Sequence, residues 1–240
     1  MLNFNSNKFD FWKIYDSIKQ FYPIGIPKVE GGIFYSYPGL KKLESIIVEN
    51  IHDENKFNNS WQSFTLEIER AINKRIIGTT YGQAPSFSSY LELDSCSADN
   101  LTRTKYLHFL VSLVGPFYTI VGEDSNAVKV NDQHFRSTNY LVVSPENEYA
   151  EAFNLLCSMI ETRFKDFRFI PFHICKQEIE GLDVRYTDDN LNLIFNALFN
   201  NQIDLNSPII GNILFKSENW IKDEWVDDGA RWTAYPVQLT

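Results

Sequence analysis

Three short stretches of this chain bring together residue types that do chemistry. His173-Ile174-Cys175 sets an imidazole and a thiol two residues apart. In a strand, side chains at that spacing share a face, so the pair reads as two metal ligands or as a nucleophile with its base. Asp53-Glu54-Asn55-Lys56 offers the carboxylates and lysine of a metal-dependent nuclease. Glu178, Glu180 and Asp183 offer the paired carboxylates that glycoside hydrolysis requires.

Each stretch falls short of a site. A metal centre takes three or four protein ligands, and nothing at suitable spacing completes His173 and Cys175. Cysteine is also among the most commonly buried residue types, so core packing is the plain reading of that pair. The Asp53 stretch lies in a polar connector, without the apolar strand that would hold catalytic groups in place. Asp227-Asp228-Gly229 lacks the remaining ligands of a calcium loop. His52, His108 and His134 stand isolated in the sequence. Glycine-rich phosphate loops, the serine-hydrolase elbow and the paired-histidine zinc motif are absent. The reading is of a chain with no catalytic residue, no metal ligand and no cofactor.

The elements that would position these groups follow from periodicity. Phe11, Trp12, Tyr15, Ile18 and Tyr22 recur at helical spacing over Phe9 to Tyr22, and Pro23 ends the run. Leu40, Leu43, Ile46, Ile47 and Ile51 predict a second helix from Pro38 to His52. Asp53 to Ser60 reads as a connector, and Trp61 to Lys74 as a third helix, with a strand over Phe64-Thr65-Leu66-Glu67-Ile68 as the alternative. The texture then changes to alternation over Ser89 to Asp94, Tyr106 to Val114 and Phe117 to Val121. The last two meet at Gly115-Pro116 as neighbouring antiparallel strands. Short strands are expected at Val128 to Val130 and Tyr140 to Val143. A helix is expected over Glu148 to Phe164, and a strand over Phe167 to Ile174 with Pro171 marking an edge or bulge. Asp188 or Asp189 suits the cap of a helix carrying Leu191, Ile194, Phe195, Leu198 and Phe199. A short helix around Trp220 to Val226 and a strand around Arg231 to Tyr235 complete the chain. Strands bunched between groups of helices argue for an α+β fold with a mainly antiparallel central sheet. We read residues 1–240 as a single domain, with a helical N-terminal subregion over 1–75.

Composition narrows the function classes. At 44% apolar and 15% aromatic, the 240 residues suffice for a substantial core. Cys96, Cys157 and Cys175 are odd in number and widely spaced, as befits reduced thiols. No signal-peptide core opens the sequence. Its longest apolar stretch, Leu107 to Val121, is broken by His108, Ser112 and Gly115-Pro116 and is too short to span a bilayer. A soluble, cytoplasmic protein is expected, without a membrane partner. No basic patch offers itself to nucleic acid.

Charge supplies the strongest signal. Glu178 to Asp228 holds eleven acids against three bases, Arg185, Lys216 and Lys222, so eight of the nine net negative charges fall there. The window closes in Trp220, Asp223, Glu224, Trp225, Asp227 and Asp228, with Trp232 just beyond. A localised negative field steers a basic partner, and tryptophan is a favoured binding hot spot. Trp220 and Trp225 diverge by about 140° on a helix of 3.6 residues per turn, so at most one points squarely into a core. These seven residues are the candidate partner-binding surface. The competing reading makes the indoles core caps and the acids a solvated face.

In its acidic, aromatic and motif-free character, and in this window above all, the chain resembles bacterial immunity proteins of polymorphic or contact-dependent toxin systems. That resemblance implies a compact α+β protein which binds a cognate toxin, a basic one, and occludes its active site with carboxylates that imitate a polyanionic substrate. Two alternatives stand beside it. One is an enzyme of unrecognised family, a hydrolase or transferase using His173 and nearby carboxylates. The other is a phage or mobile-element accessory protein.

Overall fold

Alternation organises the middle of the chain and divides its interior in two. The computed structural model describes residues 8–131, 134–187, 189 and 191–222. They form an α+β fold around a seven-stranded, mostly antiparallel sheet. Three helices come first: α1 (Trp12–Lys19), α2 (Gly32–Ser36) and α3 (Pro38–Ile47). Pro38 sits in the first turn of α3, where its missing N–H is no loss. After a wide π-helical turn (Val48–His52), Asp53 leaves the helical conformation and its carboxylate accepts from Lys56 N at 3.0 Å, capping α4 (Glu54–Phe57). A second π-helical turn leads into α5 (Ser63–Ile72), which Asn73 ends in the left-handed conformation. The expected connector over Asp53 to Ser60 is thus largely helical. Its polar residues cap and face solvent, and only its phase differs from that of its neighbours.

The sheet runs β1 (Ile76–Gly78), β2 (Ser86–Ala98), β3 (Leu101–Ser112), β4 (Phe117–Asn131) and β5 (His134–Val142) as an antiparallel meander. The two short strands expected at Val128 and Tyr140 are the ends of longer ones, since β4 continues unbroken from Phe117. Helix α6 (Ala150–Arg163) follows, then β6 (Arg168–Phe169), α7 (Phe172–Cys175), α8 (Ile194–Leu198) and β7 (Ile209–Ile210). Strand β6 lies parallel to the start of β4, and β7 lies parallel to the end of β5.

Side chains of odd and even parity feed different cores. Phe87, Leu91, Leu107, Phe109, Val111, Tyr118, Ile120 and Val142 pack under α5 and α6 with Trp61, Phe64, Phe153 and Leu156. On the opposite face, Leu110, Phe117, Val121, Leu141 and Val143 meet α1, α3, α7, α8 and the irregular chain between them. Two expectations about that second face need correction. The strand over Phe167 to Ile174 lasts only two residues before Pro171 opens the single turn of α7. The helix expected from Asp188 or Asp189 begins at Ile194 with Leu193 at its cap, although Phe195, Leu198 and Phe199 are buried as its periodicity required. Gly181 explains part of the irregular path. Its φ of +77° and its approach to Gly25 leave no room for a Cβ, while its carbonyl accepts from Gly25 N at 2.8 Å.

Candidate functional site

Trp220, expected at a partner surface, is a core residue. It ends a short 3₁₀ turn (Ser217–Trp220), is 1% exposed, and lies between Phe11 and Phe117. Its indole N–H donates to the Phe169 carbonyl at 2.8 Å, and the Arg168 guanidinium stands 5.5 Å from its ring. The reason is local. The turn carries Trp220 inward while backbone bonds from Asp10 N to Trp220 O and from Lys222 N to Lys8 O fasten the segment to the start of α1. The other six expected contact residues, Asp223, Glu224, Trp225, Asp227, Asp228 and Trp232, lie outside the described residues, as does most of the helix and strand expected there.

A second fastening lies one turn earlier. Lys216 holds a positive φ of 60°, and its ammonium pairs with Glu161 and lies 3.3 Å from the Tyr118 hydroxyl. That hydroxyl donates to the same Glu161 at 2.5 Å. Burial pushes the Tyr118 phenol far above its ordinary range. Burial also works to raise Glu161, but the bonds from Lys216 and Tyr118 outweigh it and leave the carboxyl below the usual range. The neighbouring Cys157 thiol is pushed up to about 11 by burial. A thiol so placed is packing material and not a nucleophile.

His173 and Cys175 do not converge. On the helical turn of α7, residues two apart diverge by about 160°, so the shared face expected of a strand does not exist. His173 Nδ1 lies 3.1 Å from the Ile213 carbonyl, and its ring packs edge-on against Phe11. Burial lowers its pKa, against the opposing effect of that hydrogen bond. Cys175 is fully buried beside Thr119 and Ile170, and burial pushes its thiol up to about 12. His173 and Cys175 therefore do not form a nucleophile with its base.

Within the acidic window the carboxylates divide into two kinds. Asp183 is buried. It accepts from the backbone of Lys28 at 3.1 Å and faces that residue's ammonium at 3.1 Å. Lys28 Nζ also donates to the carbonyls of Thr187 and Asp189, so one lysine gathers the window's first loop. Glu178, Glu180, Asp189, Asp204 and Glu218 are exposed, and none has a basic partner among the described residues. Two of the window's own bases are engaged by acids from outside it: Arg185 meets Glu44 at 3.1 Å, and Lys216 meets Glu161. The pairing leaves the surface more negative than the composition alone implies.

Two further groupings escaped the sequence reading. A polar cleft of about 500 Å³ is lined by Tyr81, Gln83, Arg185, Tyr186, Thr187, Asn201 and Gln202. On the sheet, His108, read as isolated, lies 3.1 Å from Glu123, with the rings of Tyr90 and Tyr106 against it. The alternation of Tyr106 and His108 carried the signal for one side of that group. Only the β3–β4 register, which pairs His108 with Val121 and Tyr106 with Glu123, supplies the carboxylate. No three His, Cys, Asp or Glu side chains are grouped to hold a metal among the described residues. None of their helices is long and apolar enough to cross a membrane. Compared with protein-family models, curated proteins and solved structures, the chain has no match in any of the three.

Proposed function

We propose that the chain is a cytoplasmic bacterial protein that binds a cognate basic toxin and neutralises it by covering the toxin's active site with an acidic, aromatic surface. One observation supports the reading above the others. Among the described residues, the exposed carboxylates of the Glu178 to Asp228 window have no basic partner, while Arg185 and Lys216 are tied up by Glu44 and Glu161. Like charges held together on a folded surface repel one another unless a cationic partner arrives. The fastening of Trp220 and Lys222 to the N-terminal segment gives the run from Asp223 to Asp228 a fixed point of departure.

The test is a fourfold reversal, Asp223→Lys, Glu224→Lys, Asp227→Lys and Asp228→Lys, compared with the native chain for capture of basic proteins and for association rate against ionic strength. The reading expects association at least about tenfold slower and a flatter salt dependence in the variant. Equal capture and equal rates in both proteins remove the window from function.

A further inference from the structure

The outer edge of β5 is an open template for pairing, and its register suits a second copy of the same strand. Leu141 N donates to Pro208 O and Val143 N to Ile210 O, so odd-numbered residues of β5 turn their backbone groups away from β4. By the alternation of an antiparallel ladder, the N–H and C=O of Ser137 and Asn139 point outward too. Strand β7 cannot reach them. Continuing its parallel ladder by one step requires an N–H at position 208, and proline has none. The stretch from Arg136 to Tyr140 thus has β4 on one side and no strand on the other among the described residues. Open edges of this kind invite strand addition.

We propose that two copies of this chain pair antiparallel through β5, with the two-fold axis at Thr138. That register places Ser137 opposite Asn139 of the other copy as a hydrogen-bonded pair, twice over, using the four residues whose backbone groups face outward. On one face it sets Arg136 opposite Tyr140 of the other copy, again twice. Both side chains are exposed, Tyr140 at 41%, and Arg136 has no ion pair among the described residues. A guanidinium laid over a phenol ring is a favourable cross-strand pair. A lone arginine normally guards an edge against pairing. Here the symmetry supplies its partner. Val128 and Leu101, aligned with Arg136 in register and each more than 40% exposed, extend the apolar strip beneath those contacts. Five paired residues make a small interface, so the dimer is a weak, concentration-dependent one.

Sedimentation over a wide concentration range reads this directly, with the native chain expected to shift from monomer to dimer. Ser137→Pro removes an outward N–H that the monomer does not use, a place where an edge strand tolerates proline. It should weaken the dimer at least about tenfold while leaving the melting temperature unchanged. Arg136→Ala and Tyr140→Ala should each weaken it severalfold. Concentration-dependent hydrogen-exchange protection of the Ser137 and Asn139 amides in the native chain provides a readout that does not depend on any variant. A native chain that stays monomeric, or amides that exchange equally at all concentrations, overturns the proposal. So does a dimer that survives Ser137→Pro in a folded variant.

Discussion

Each face of the sheet is closed by one fully buried tryptophan, and the two faces are built in opposite ways. Trp61 leads α5 and lies stacked on Phe87 at 5.3 Å, its N–H on the Ser89 hydroxyl, under the two regular helices α5 and α6. Trp220 is held by Phe11, Phe117 and the Phe169 carbonyl, under a cover made of the chain's first helices and the irregular stretch from Ile170 to Trp220. The first face is secured by periodicity. The second is secured by specific polar fastenings between distant segments: Lys28 with Asp183 and Trp220 with Phe169.

The comparison breaks most visibly at its two indoles. Trp61→Ala and Trp220→Ala should each destabilise the fold by about 3–5 kcal/mol in denaturant unfolding. Their local signatures should differ in hydrogen exchange. The first should loosen α5 and α6, and the second should loosen Lys8 to Ile18 together with Ser217 to Lys222. Identical exchange patterns would mean that the two faces form one cooperative unit.

Next in size is the buried ion pair. Asp183→Ala leaves the Lys28 ammonium, 11% exposed, without its carboxylate and should lower stability by about 3 kcal/mol. Adding Lys28→Met should restore much of the loss. No restoration would show that the pair is not the fastening described here.

The smallest effect is one of pH. Burial holds the His173 imidazole below its ordinary pKa, so the fold keeps it neutral while the unfolded chain titrates near about 6.5. Between the two values the unfolded state binds more protons. The contribution of His173 is therefore present above about pH 6.5 and is lost as pH falls through that window. Melting temperatures from about pH 7 to pH 5 should fall more steeply for the native chain than for His173→Asn. Parallel profiles would assign the acid sensitivity elsewhere.

The same contrast explains what the sequence made legible. Periodicity located α1, α3, α5 and α6, the middle of β2, the end of β3 and the beginning of β4, because those elements bury one stripe or one face and their apolar residues must recur accordingly. It read the second face poorly. Phe172, Ile174, Ile179, Leu182 and Val184 are all buried without belonging to any long element, so their spacing mimics a strand near Pro171 and an ordinary helix near Leu191. Candidate chemistry failed for a related reason. The spacing of His173 and Cys175 suits a strand's period but the two sit on a helical turn, whereas His108 meets its carboxylate across a register that no local pattern reveals. The concentration of charge was legible from composition alone. Its sharpening by Glu44 and Glu161, which pair with two of the window's three bases from distant parts of the sequence, was not.

The bridge between Phe9 and Ile221 has a consequence for the order of assembly. It joins residues near opposite ends of the chain, and the entropy of closing so long a loop makes such a contact unfavourable until the intervening sheet has already drawn its ends together. It should therefore be among the last contacts to form during folding and the first to fray. The acidic run from Asp223 departs one residue beyond the anchored Lys222, so its origin is set only once folding has finished. A partner that reads that run from a fixed base would meet it on the completed molecule, and a nascent or half-folded chain would present the same charges without the same address.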